Sequence, residues 1–267
     1  MIARRKFFFV RVGILLFILF LVVLYAIRDV RSRRARNEWK APVDVAIVLV
    51  HVTGTDAPEE EAIIAFRDRV PALADRLAAE AVRTRPGLER PFRFRVFGPV
   101  DAPQAPRPAS DGIVDLARYA WDQRGWLRGI DPAAGVVPDH FDTRIYVEAH
   151  RPASEQRSFV EGESQEGGRI GVVAVELDPS MADFTLFVVA HELLHTLGAT
   201  DKYGPDGAAL DPQGLAEPLL VPRYPQRYAE VMARSRPLAP GREKVPASLA
   251  ELAVGPLTAQ EIGWSAP

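Results

Sequence analysis

The sequence predicts an α+β domain with a mixed, twisted sheet, preceded by one transmembrane helix and ending in a loop-rich C-terminal subdomain. Of the 267 residues, 48% are hydrophobic, so the chain can bury a sizeable core. Short β-branched runs alternate with longer helical segments up to about residue 200, which is typical of a sheet covered by helices. Pro and Gly are frequent beyond that point, and periodicity is weak there.

The first 27 residues predict a basic tail and a membrane anchor. Residues 12–27 are uncharged and almost entirely apolar, and the stretch counted from Phe7 is long enough to cross a bilayer. A signal peptide cleaved near Ala26 is the alternative. Basic residues flank both sides, so the positive-inside rule does not decide the orientation. The short N-terminal tail favours a single-pass protein whose folded domain is exported.

Residues 28–42 predict a basic juxtamembrane linker, and the charge distribution indicates its partner. Residues 1–40 hold ten Lys/Arg against two acidic residues, whereas the remainder carries a net charge of −10. The acidic domain argues against a nucleic-acid partner, and the basic segment favours contact with a lipid bilayer.

The residue composition adds two further predictions. Arg far outnumbers Lys, and Ala and Pro are abundant, which suggests a GC-rich bacterial genome and therefore the bacterial inner membrane. No Cys is present, so disulfides and all-cysteine metal sites are excluded.

The elements of the domain at 43–267 follow from their hydrophobic periodicity. A continuous apolar run predicts a buried central strand, and alternation of apolar and polar residues predicts a half-buried one. The polar, Gly-containing stretch 152–169 predicts a loop. The predicted strands are 43–52, 92–97, 143–149 and 169–177, and the predicted helices are 55–83 (with a kink at Pro71), 111–125, one beginning near Asp183, and a short terminal helix at 257–264.

The helix beginning near Asp183 carries the sequence His191-Glu192-Leu-Leu-His195. Residues four apart lie on nearly the same face of a helix, so both histidines can direct a ring nitrogen at one ion. Glu192 lies about 100° around the helix from His191, where it can reach a water molecule at that ion without being a ligand. This motif predicts one zinc ion, which at catalytic sites usually takes three protein ligands.

Asp201 is the predicted third ligand. Gly198 can adopt the left-handed conformation that ends a helix, which would turn the chain back towards the histidines. An anionic ligand also offsets the charge of a divalent cation in a partly dry site. Glu217 and Glu230 are the alternative third ligands.

The spacing His-Glu-x-x-His-x-x-Gly-x-x-Asp resembles the extended zinc motif of metzincin metallopeptidases, and the Asp at its end resembles the snapalysin-like minority. The resemblance covers about 169–264 and implies a zincin fold divided at residue 198. It also implies a tight turn bearing a methionine beneath the metal, for which Met232 is the candidate. Arg234 stands where some metzincins have a tyrosine, so the role of that tyrosine does not carry over.

The predicted function is therefore a membrane-anchored zinc endopeptidase acting on a peptide or protein substrate. Glu192 is the predicted general base, and Tyr203 and Tyr228 are candidate transition-state donors. The resemblance to metzincins also implies that extended substrate pairs with an edge strand, for which 143–149 and 169–177 are the candidates. The alternatives are a zinc-binding but inactive interaction domain and a scaffold in which zinc is a structural staple. The sequence predicts no particular oligomeric state.

Overall fold

The computed structural model describes residues 2–110, 112–152, 160–164 and 168–265. The side chains of 2–10, 25–26, 29, 32–33 and 160–164 lie outside this description.

A five-stranded sheet forms the centre of the domain, with the strand order β2-β1-β3-β5-β4. The four strands from β2 to β5 in this order run parallel, and β4 pairs antiparallel with β5 at one edge. The predicted mixed sheet is therefore confirmed. The strands are β1 (Val43–Val52), β2 (Phe92–Ala102), β3 (Thr143–His150), β4 (Val160–Ser164) and β5 (Ile170–Glu176).

Helices cover both faces of this sheet. Helices α2 (Glu60–Thr84) and α4 (Ala182–Thr196) pack against one face, and α3 (Ile113–Ala134) packs against the other. In β1, Ile47 faces the first core and Val48 faces the second, and both are fully buried. A strand covered on both faces needs apolar side chains at every position, which explains the continuous apolar run.

The edge-strand prediction is wrong. Strands β3 and β5 each have a hydrogen-bonded neighbour on both sides, and the two edges of the sheet are β2 and β4. Strand β4 lies in the stretch predicted as a loop. The prediction missed this strand because its sequence, Val-Glu-Gly-Glu-Ser, lacks apolar alternation and its strand conformation comes from pairing with β5. Residues 153–159 and 165–167 of that predicted loop lie outside the described residues.

Beyond α4 the chain has little regular structure. Strand β6 (Ala229–Glu230) pairs in parallel with β9 (Leu252–Ala253), and β7 (Arg236–Ala239) pairs antiparallel with β8 (Arg242–Lys244). The short helix α5 (Pro256–Glu261) follows, and the buried Trp264 anchors the end of the chain.

The N-terminal helix α1 (Ile2–Asn37) continues through most of the predicted linker and ends against the domain. The Arg36 guanidinium donates to the carbonyl oxygens of Gly168 (2.9 Å) and Thr196 (3.2 Å). Asn37 Nδ2 donates to the carbonyl of Leu197 at 2.8 Å. The end of the predicted linker therefore belongs to the folded unit, because it satisfies carbonyl groups at the C-terminus of α4.

Among the residues whose side chains the structure describes, no helix is both long enough and apolar enough to cross a membrane. Residues 7–10 and 25–26 of the predicted transmembrane span lie outside the described side chains.

Candidate metal centre

Helix α4 carries the histidine motif through the interior of the domain. Every residue from Thr185 to Thr196 is buried, so the motif does not lie on a solvated helix face. His191 and Glu192 are each only 2% exposed, and His195 is 7% exposed. Burying these three polar side chains is unfavourable unless something inside the protein pairs with them.

The two histidine rings are held by backbone carbonyl groups. Nδ1 of His191 lies 3.0 Å from the carbonyl oxygen of Val231, and Nδ1 of His195 lies 2.8 Å from that of Ala199. A carbonyl oxygen can only accept, so each Nδ1 carries the proton and donates it. In the neutral rings, each Nε2 therefore presents a lone pair, and the two Nε2 atoms are 3.1 Å apart.

Asp201 reaches the same point after a sharp turn. Gly198 has φ of +97°, and the amide groups of Gly198 and Ala199 donate to the carbonyls of His195 (2.9 Å) and Leu194 (3.1 Å). This left-handed helix ending reverses the chain, as predicted for Gly198. Oδ1 of Asp201 then lies 3.3 Å from Nε2 of His191 and 3.2 Å from Nε2 of His195.

The donor set of this cluster fits a divalent metal ion. Two imidazole lone pairs and a carboxylate oxygen converge, and they repel one another unless a cation or a proton lies between them. Burial lowers the pKa of His195, but Asp201, Glu192 and the Ala199 carbonyl raise it above its ordinary value. Nitrogen and carboxylate ligands are those that zinc prefers at catalytic sites. Within the described residues, this is the only group of three or more such side chains close enough to hold an ion.

Glu192 lies beside the cluster. Its Oε1 is 3.9 Å from Nε2 of His191, outside hydrogen-bonding distance. Its Oε2 is buried and accepts no hydrogen bond from the described part of the chain. A buried carboxylate oxygen without a donor is costly, so such groups are often explained by a functional role.

Glu230 forms the base of the neighbouring turn and is not a ligand. Residues Val231–Ala233 form a buried 3₁₀ turn whose amides at Met232 and Ala233 donate to Oε2 of Glu230 at 2.6 and 2.9 Å. Oε1 accepts from the Gly255 amide (3.1 Å) and the Thr258 hydroxyl (2.7 Å). Burial raises the pKa of Glu230 to about 7 against the effect of these four donors. The alternative assignment of Glu230 as third ligand is therefore wrong, because both oxygens are already occupied.

The turn held by Glu230 also contacts the candidate metal site. The Val231 carbonyl that fixes His191 belongs to it, and Met232 is completely buried within the core that includes α4. Glu217, the other alternative ligand, forms an ion pair with Arg227 instead and does not approach the cluster.

The two candidate tyrosines occupy different places. The Tyr203 ring stacks on His191 with centroids 6.3 Å apart, and the Arg234 guanidinium carbon lies 5.6 Å from the centre of the Tyr203 ring. Burial raises the pKa of Tyr203. Tyr228 packs beneath Arg76 of α2 at 5.2 Å, so the structure does not bring it to the histidines.

Sequence reasoning missed the residues that hold this centre from behind, above all Lys202 and Glu261. Thr258 and Glu261 predict a capping box for the terminal helix, but Thr258 bonds to Glu230 and Glu261 bonds to Thr200 and Lys202. The only sequence signal for these supporting residues is the lysine directly after Asp201. This signal is weak, because a lysine in a loop is usually solvent-exposed.

Comparison with known proteins adds little to these observations. No family model matches the chain, and no curated protein matches it. Among solved structures, archaemetzincin from Methanopyrus kandleri matches 63% of this chain and 79% of its own chain, with 16% sequence identity and a TM-score of 0.30. Similarity at this level does not establish a shared activity.

Proposed function

We propose that this protein is a zinc-dependent endopeptidase. The observation that carries the proposal is the buried Glu192 carboxylate, which lies beside the convergent His191, His195 and Asp201 and has one oxygen that accepts no hydrogen bond from the described residues. Structural zinc sites do not need such a group, whereas hydrolysis needs a base that can take a proton from water.

Each residue has a defined part in the proposed reaction. His191, His195 and Asp201 would hold the ion, which when bound polarises the scissile carbonyl and makes water more acidic. Glu192 accepts the proton of the attacking water and later delivers it to the leaving nitrogen. Of the two candidate donors, Tyr203 is the one that lies at the histidines, stacked on His191. An extended substrate strand would pair with β4, the sheet edge that packs near α4.

Replacing Glu192 tests the proposal. We expect Glu192→Gln to lower kcat by about 10²- to 10⁴-fold, the usual contribution of a positioned general base. Bound zinc should stay near one ion per chain, because Glu192 is not a ligand. Cleavage of an unfolded protein substrate and metal content would be measured together, and Glu89→Gln, on the exposed surface, provides the matched control.

The alternatives give different results in the same experiment. A wild-type protein that holds zinc but cleaves no substrate would indicate an inactive interaction domain. A structural staple predicts that Glu192→Gln is silent, whereas His191→Ala loses zinc and unfolds. Undiminished cleavage by Glu192→Gln would exclude the proposed mechanism.

We propose a membrane location separately, on the sequence of residues 7–27. In helix α1, the large apolar side chains from Ile14 to Leu24 are exposed. A single pass with the folded domain outside the cytoplasm would place the basic residues beyond Ile27 near lipid headgroups. Membrane fractionation of the full chain, followed by protease treatment of intact and permeabilised cells, tests both the location and the orientation.

A further inference from the structure

Asp201 lies in a segment that no helix or strand holds, although a metal ligand must be fixed closely. Its carboxylate is 43% exposed, in contrast to the buried histidines. The residue on each side of it is bound to Glu261, sixty residues further along the chain. The Thr200 amide donates to Oε2 of Glu261 at 3.0 Å, and the Thr200 hydroxyl donates to Oε1 at 2.9 Å.

Lys202 completes the attachment from the other side. Its ammonium group is 2.9 and 2.8 Å from the two Glu261 oxygens and 2.7 Å from the Thr200 carbonyl oxygen. The residue is 2% exposed, so this charge depends on these partners. The Lys202 amide also donates to the Met232 carbonyl at 3.0 Å, which connects the segment to the turn beneath the histidines.

Glu261 itself lies on a fixed element. Helix α5 is attached at its start by the bonds from Gly255 and Thr258 to the buried Glu230. Just after α5, Ile262 and Trp264 are buried. The carboxylate of Glu261 therefore has a defined position relative to the turn whose Val231 carbonyl contacts His191.

From this geometry we infer that Glu261 is a positioning residue for the metal site, which holds Asp201 in place by binding Thr200 and Lys202 on either side of it. The inference rests on the metal site of the proposed function. The groups that orient a metal ligand commonly contribute 10- to 100-fold to metal affinity. Glu261 touches neither the histidines nor Asp201, so its effect must pass through the backbone at Asp201.

The test measures zinc affinity in the full chain by competition with a chelator of known affinity. We expect Glu261→Gln to weaken zinc binding about 10- to 100-fold. Glu80→Gln is the control, because Glu80 is a glutamate, more buried than the half-buried Glu261, that likewise binds a backbone amide (Val254, 2.9 Å) and basic side chains, away from the metal site. The control should change zinc affinity by less than about threefold. The visible spectrum of bound Co²⁺ should shift in Glu261→Gln and stay unchanged in Glu80→Gln.

An Asp201→Ala background separates positioning from a general loss of stability. There, adding Glu261→Gln should weaken zinc binding by less than about twofold, since the ligand through which Glu261 acts is already gone. If Glu261→Gln fails to fold, Thr200→Val replaces it. This variant removes the hydroxyl that binds Glu261 and Lys202, but it keeps the Lys202–Glu261 pair and the bond from the Thr200 amide to Glu261. We expect it to weaken zinc binding by about two- to tenfold and to shift the Co²⁺ spectrum.

Three results would overturn the inference without removing the proposed function. Unchanged zinc affinity in the folded variants would do so, as would an equal loss in Glu80→Gln or an undiminished effect of Glu261→Gln in the Asp201→Ala background. Failure of the wild-type protein to bind zinc would remove the proposed function as well. Zinc binding and cleavage that are both unaffected by Glu261→Gln would leave the proposed function intact and remove only the inference.

Discussion

His191 and His195 lie on a helix that is buried on all sides, whereas Asp201 lies in a region with little regular secondary structure. Between its two ends, helix α4 satisfies its own backbone, and apolar packing between α2 and the sheet holds this part of the helix. The region after α4 has strands of only two to four residues and one six-residue helix. Its amides bind buried or half-buried carboxylates instead, those of Glu230 and Glu261.

The contrast shows that the candidate metal site is assembled by two kinds of force. Apolar burial is not directional, so it tolerates small shifts and holds an element that is already rigid. Carboxylate-to-amide bonds are directional, so they can fix an irregular segment at the cost of burying charge. The two halves of the site should therefore respond to different substitutions.

The largest effect is expected in the apolar half. Leu193 is fully buried on α4, and we expect Leu193→Ala to lower the free energy of unfolding by about 2–5 kcal/mol, through lost burial and the cavity left behind. Urea denaturation measures this value. Leu116→Ala, at a 42% exposed position on α3, should change it by no more than about 0.5 kcal/mol. Similar losses in both variants would show that apolar packing does not distinguish α4.

The polar half is tested at Glu230. Glu230→Gln keeps the size of the side chain but turns one acceptor into a donor that faces the Gly255 amide and the Thr258 hydroxyl. We expect a loss of about 1–3 kcal/mol in the free energy of unfolding from the unsatisfied buried groups. Zinc affinity should also fall, because the Val231 carbonyl that orients His191 belongs to the same turn. Denaturation and metal competition check the two effects, and a variant with wild-type values in both would contradict the assigned role of Glu230.

The smallest effect is expected where the two halves meet, at Asp183 in the first turn of α4. Its carboxylate accepts from Arg69 of α2 (2.5 and 2.9 Å) and from the hydroxyl of Ser248 and the amide of Leu249 (both 3.1 Å). Burial by itself raises the pKa of Asp183, but these donors hold it below its ordinary value of 3.8. We expect Asp183→Asn to lower the free energy of unfolding at pH 7 by about 1–2 kcal/mol.

The pH dependence of that difference follows from the sign of the shift. A carboxyl with a depressed pKa in the folded state stabilises the protein fully above its unfolded pKa. This contribution is lost as the pH falls from about 4 through the folded value. The difference between wild type and Asp183→Asn, measured by denaturation of metal-free protein, should therefore stay constant from pH 7 to 5 and shrink below pH 4. A difference that grows on acidification would show that the ionised carboxylate is not what stabilises the contact.

Much of the site could be predicted because its geometry is local. The i, i+4 spacing of His191 and His195, the left-handed turn at Gly198 and the return of the chain at Asp201 all depend on residues within one short segment. The central strand β1 could also be predicted, since burial on both faces demands a continuous apolar run. Strand β4 could not be predicted from its own sequence, because its partner β5 determines its conformation.

The sequence by itself determined which side chains can meet on α4 and just beyond it, because helix periodicity and glycine backbone freedom act over a few residues. Only the tertiary structure decided what fixes them. Glu230, Lys202 and Glu261 have partners between two and sixty-one residues away. The end of α1 meets the end of α4 across 160 residues. No local pattern marks a charged side chain that will be buried by such a partner, because its burial is favourable only once the distant partner is in place.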